Sequence, residues 1–191
     1  LAAEGAGWRA LPSEGGHSDF ASRDPLEDEL LGWLRSRHGH VSYERVLSGA
    51  GLADLYRFFQ ATGRGSAPAA FEAAFAAAAD PAPLVSAAGI DGSCDRARRV
   101  VERFVSIYGS EAGNLALKVL AVAGVYVAGG IAPHLVPVMN EGGFVRSFAD
   151  KGRMAALLGQ IPVVVVLDDR CALWGAAAAA LAHAPTHGAG A

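Results

Sequence analysis

Val163-Val164-Val165-Val166-Leu167 is an unbroken run of β-branched and aliphatic side chains, entered from Pro162 and left through Asp168-Asp169. A short apolar run between turn residues predicts a buried strand covered on both faces. Val125-Tyr126-Val127-Ala128, ahead of Gly129-Gly130, reads the same way. Each run leads into a helical segment, so strand–helix crossovers with parallel pairing are expected, and the fold class is α/β.

Working outward, the longest helical signal lies between the two Cys94 and Leu120 limits. Val101, Phe104, Val105 and Tyr108 keep the i, i+3, i+4, i+7 spacing, and Ala112, Leu115 and Val119 continue it. Gly109 and Gly113 would each weaken that helix by about 1 kcal/mol relative to Ala. They read as points of close helix contact. Asp24-Pro25 opens an earlier helix, with Asp as cap and Pro at the first helical position, and Gly39 ends it. Ser42 to Leu47 predicts a short helix capped by Ser42, with Glu44 in its first turn. Helices are also expected over 53–61, 68–79 and 171–183. Residues 8–12 are expected to end a strand, and the Pro/Gly/Ala-rich tail at 184–191 is expected to be disordered.

The 191 residues suffice for one substantial core, and 52% hydrophobic with 18% charged residues indicates a globular chain. A net charge of −3 leaves no electrostatic footprint for nucleic acid or an acidic membrane. Cys94 and Cys171 are far apart and form no Cys-x-x-Cys, so free thiols are expected and no metal site. The apolar segments fall short of the ~20 residues of a membrane helix, and no secretory signal stands at the start. The expectation is a cytoplasmic protein.

Chemistry concentrates in Glu14-Gly15-Gly16-His17 and in Glu44, within His40-Val41-Ser42-Tyr43-Glu44-Arg45. A carboxylate and an imidazole beside two glycines put strong polar groups where the backbone can approach a ligand. A second carboxylate on another element could converge there, an arrangement suited to a polyhydroxylated molecule. Glu44 also has a plainer reading as a helix-start acid favoured by the dipole. Gly129-Gly130, after a strand and before a helix start, suits an anion, but taken alone it reads first as a tight strand-to-helix turn. His38, His40, His134, His183 and His187 read as solvent-facing or structural, and Asp19 as a brace for the Glu14–His17 loop.

At these residues the chain resembles the bacterial glucokinases, the hexokinase-like branch of the sugar kinase, heat-shock ATPase and actin superfamily. The resemblance continues through Val41 to Leu52, Gly113-Asn114-Leu115-Ala116-Leu117, Val127-Ala128-Gly129-Gly130-Ile131-Ala132-Pro133 and Phe148 to Arg153, in the family's order. It implies an actin-like (ribonuclease H-like) fold, with residues 1–183 forming the large C-terminal domain. It also implies ATP-dependent phosphorylation of D-glucose, with ATP and Mg²⁺ as cofactors, Glu14, His17 and Glu44 on the sugar, and Gly129 and Gly130 on the nucleotide. Members are often homodimers. The family's phosphate-binding Asp-x-Gly-Gly-Thr hairpin and its catalytic Asn-Asp pair have no counterpart in these 191 residues. No catalytic residue is therefore assigned, and the expectation is the C-terminal portion of a longer enzyme, inactive alone. A kinase-like module that senses sugar without catalysis is the alternative.

Overall fold

The computed structural model describes residues 2–4, 7–9 and 11–182. An antiparallel hairpin, β1 (Ala2–Glu4) and β2 (Gly7–Arg9), comes first. The strand expected over 8–12 thus ends at Arg9, and irregular backbone follows from Leu11.

Helix α1 (Pro25–His38) starts where the cap chemistry requires: the Asp24 carboxylate accepts from the Glu27 amide at 2.9 Å, and Gly39 closes the helix at φ 70°. Its Leu30 and Leu34 are buried against the core. The short α2 (Tyr43–Val46) is capped by Ser42, which places Glu44 in the first turn. Helix α3 (Gly49–Ala61) begins earlier than its apolar pattern indicates, because Ser48 accepts from the Gly51 amide at 3.1 Å. In α4 (Ala69–Ala77) the buried Phe75 packs on Tyr56 with ring centroids 4.3 Å apart.

Helix α5 (Ala82–Asp91) has no counterpart in the sequence reading. Its Gly89 lies so close to α6 (Asp95–Val119) that a Cβ there would collide with Val101 and the Ala97 carbonyl. α6 runs unbroken through Gly109 and Gly113 and is the spine on which α3, α5 and the later helices pack.

Strand β3 (Val125–Val127) then leads through α7 (Ala132–Met139), α8 (Gly143–Ala149) and α9 (Ala155–Leu158) to β4 (Val163–Val165). The two strands pair in parallel, Val125 opposite Val163 and Val127 opposite Val165, as the crossover argument requires. The expectation of cover on both faces fails. Val125, Val127, Val163 and Val165 pack on the core, but Tyr126 is 71% and Val164 43% exposed. Successive side chains alternate across a strand, and among the described residues only one face of the pair meets the core. Helix α10 (Cys171–Ala182) ends the described chain. The tail at 184–191, His183 and His187 lie outside the described residues. Both cysteines are free, Cys94 buried and Cys171 half-buried.

Candidate functional site

Residues 14–17 form a single tight turn, in which the His17 amide donates to the Glu14 carbonyl at 2.9 Å and the Gly15 amide to Ser13 Oγ at 3.1 Å. That turn is docked onto the start of α2 by backbone pairing. The Tyr43 amide donates to the Ser18 carbonyl at 3.0 Å, and the Phe20 amide to the Val41 carbonyl at 2.9 Å. Asp19 adds a contact to His40 Nε2 at 2.7 Å, which holds the same two segments together.

The docking brings the predicted side chains into one place. His17 Nδ1 is 3.1 Å from Glu44 Oε2 and 4.0 Å from Glu14 Oε2. All three remain largely exposed, so their contribution to stability as ion pairs is small and their polar atoms are open to a ligand. They line a cleft of about 520 Å³, within the size range of small-molecule sites. Its other wall is built by α6 and β3, through Tyr108, Glu111, Leu115 and Tyr126.

Gly129 and Gly130 fall elsewhere. The cleft reaches Ala128, whereas Gly130 lines a separate apolar cavity of about 360 Å³ between α3, α5 and α7. Gly129 has φ 105°, a conformation that favours glycine, and a Cβ on either glycine would meet open space. The turn therefore stands between the two cavities with its backbone uncovered. His134 lines the apolar cavity; His38 is held by Asp54 at 3.0 Å.

Sequence reasoning missed two residues of the cleft wall, Tyr43 and Glu111, and Asn114, which ties them together. Asn114 Nδ2 donates to the Tyr43 hydroxyl at 3.1 Å and to Glu111 Oε2 at 2.8 Å. Burial and the nearby Glu111 carboxylate push the Tyr43 phenol above its usual range. The signal was the i, i+3 spacing of Glu111 and Asn114 on one helix face. Further along, Lys151 Nζ donates to Ser110 Oγ at 2.8 Å; burial and the Arg23 charge hold its ammonium below the usual lysine range. Among the described residues, no group of three or more His, Cys, Asp or Glu side chains is arranged to hold a metal ion. No described helix is long and apolar enough to cross a membrane.

Helices packed on a parallel strand pair, beside a cleft with two carboxylates and an imidazole, define the class: a sugar-kinase domain of the actin-like fold. The family model for Glucokinase matches residues 1–183, and the chain belongs to the glucokinase family. A glucokinase from Synechocystis sp. is 43% identical over 185 residues, covering 91% of this chain and 52% of that protein. One from Chromobacterium violaceum is 41% identical over 198 residues, covering 98% of this chain and 54% of its own length. The chain spans about half the length of the curated relatives it matches. The crystal structure of a glucokinase from an Antarctic psychrotroph superposes with a TM-score of 0.74 at 36% identity, over 88% of this chain and 49% of that one. The glucokinase of Balamuthia mandrillaris, solved with glucose, shares the fold at a TM-score of 0.64 and 19% identity, over 84% of this chain and 44% of that one.

Proposed function

We propose that this chain carries the sugar-binding face of an ATP-dependent glucokinase that converts D-glucose to glucose 6-phosphate. The observation that supports it best is the convergence of Glu14, His17 and Glu44, from two separate segments, on one open cleft. Carboxylate oxygens accept hydrogen bonds from sugar hydroxyls, and the imidazole can donate or accept according to its tautomer. Held this way, the ring presents its 6-hydroxyl in a fixed direction, and orientation of this kind removes several kcal/mol from a bimolecular barrier. Phosphoryl transfer needs little covalent help from protein beyond such positioning and charge stabilisation.

The apolar cavity beside Gly129-Gly130 fits a nucleotide base, and the uncovered glycine backbone fits a close approach by the rest of the cofactor. ATP is assigned to that side. The described residues offer no acidic cluster for Mg²⁺. None of the 191 residues is assigned as the base that removes the sugar proton. The chain alone is accordingly expected to show no turnover in a coupled hexokinase assay. In a chain of the relatives' length carrying this sequence, Glu14→Gln or Glu44→Gln should raise the glucose KM or lower kcat by at least about tenfold, the loss of one charge-assisted hydrogen bond. Wild-type kinetics in both variants would overturn the reading.

A further inference from the structure

Tyr43 immediately precedes Glu44, and the four residues of α2 are too few to hold their own orientation. Besides the backbone pairing to Ser18 and the packing on α3, a side-chain tie reaches across the cleft to α6. The Tyr43 ring is buried edge-on against Phe20, with centroids 5.6 Å apart, and its hydroxyl reaches Asn114. Both hydrogens of the Asn114 amide have an acceptor, one on Tyr43 and the other on Glu111, so the direction of the amide is fixed by its surroundings. Glu111 is anchored on the same helix three residues earlier, and both belong to an element locked in the core. The chain of contacts runs from the α6 spine through Asn114 to Tyr43, and by one peptide bond to Glu44.

We propose that Asn114, oriented by Glu111, is a positioning residue for the sugar site and acts through Tyr43 on the direction of the Glu44 carboxylate. This rests on the reading of Glu44 as a sugar ligand. Asn114 touches no sugar in this scheme. It fixes the angle at which α2 presents Glu44, so that the carboxylate meets the hydroxyl without first being ordered by it.

The test is a double-mutant cycle in a kinase of the relatives' length carrying this sequence. Tyr43→Phe removes only the hydroxyl, and Asn114→Leu removes the amide; Tyr43→Phe keeps the test usable if Asn114→Leu folds poorly. Each is expected to raise the glucose KM about three- to tenfold, the scale of one hydrogen bond, with kcat and the ATP KM held within about twofold. Combined with Glu44→Gln, neither should add to the KM increase that Glu44→Gln produces alone. An additive increase, or a fall in kcat without a change in glucose KM, would overturn the positioning role. If Glu44→Gln itself leaves the glucose KM unchanged, the sugar-site reading fails first. If Glu44→Gln raises KM while Tyr43→Phe and Asn114→Leu do not, the positioning inference alone is lost.

Discussion

Glu27 has no accessible surface, and both of its oxygens are engaged by arginines: Arg23 through its amide at 2.9 Å and its Nε at 3.1 Å, and Arg103 through Nη1 at 2.9 Å. Arg103 also reaches the capping carboxylate of Asp24 at 2.6 Å, so one guanidinium ties the start of α1 to the middle of α6. Removing the carboxylate strands two arginines that are themselves mostly buried, and breaking a buried pair from one side is the costly case. Glu27→Ala is expected to lower unfolding free energy by about 3–5 kcal/mol, read from the urea midpoint at constant m. Asp24 adds a pH dependence. Partial burial opposes its ionisation, but the Glu27 amide and the Arg103 guanidinium outweigh it and hold the carboxyl below the usual range. A lowered folded pKa means its stabilisation is present above the unfolded value, near about 3.9, and is lost as pH falls through the folded one. Asp24→Asn should therefore flatten the acid limb of melting temperature against pH, leaving its shape above about pH 5 unchanged. An identical acid limb in both proteins would count against the assignment.

At the scale of elements, the crossing of α6 and α8 is made backbone to backbone. A Cβ on Gly109 would collide with the Phe144 carbonyl, and one on Gly113 with the Phe148 carbonyl and the Lys151 side chain. Alanine is the better helix former by about 1 kcal/mol, so a propensity argument predicts that Gly113→Ala stabilises. Packing wins instead: the substitution should destabilise by about 1–3 kcal/mol, visible as a lower urea midpoint and a lower melting temperature. A gain in stability would show that α8 can move away freely. The reading of these two glycines as contact points was available from the sequence, because α6 keeps its apolar period over 25 residues around them. α5, α8 and α9 were not legible. They are short, and α5 carries Pro83 and Gly89, so their helicity comes from the surface they bury and not from a pattern of their own. The site divides in the same way. Glu14, His17 and Glu44 announce themselves by residue type, whereas Tyr43, Glu111 and Asn114 matter only once α2 and α6 face each other.

For the whole molecule, the side of the strand pair turned away from the core is expected to set behaviour in solution. Tyr126 and Val164 stand on it, and Leu167, Leu173, Trp174 and Leu181 are each at least 60% exposed along the chain that follows. Helix α10 has no buried residue among those described, although its composition is almost wholly apolar. Parallel pairing could be read from the two valine-rich runs, but their one-sided cover could not, since a run apolar on both faces states only that both faces favour burial. Large apolar side chains left open to solvent favour association with other apolar surface. The 191-residue chain is therefore expected to bind 8-anilinonaphthalene-1-sulfonate in its folded state and to self-associate with rising concentration in sedimentation velocity. Val164→Thr keeps a β-branched residue at an exposed strand position, so stability should hold within about 0.5 kcal/mol. Paired with Trp174→Gln, it should reduce both dye fluorescence and association. If the paired variant binds dye as strongly as the parent chain, the apolar surface responsible lies elsewhere.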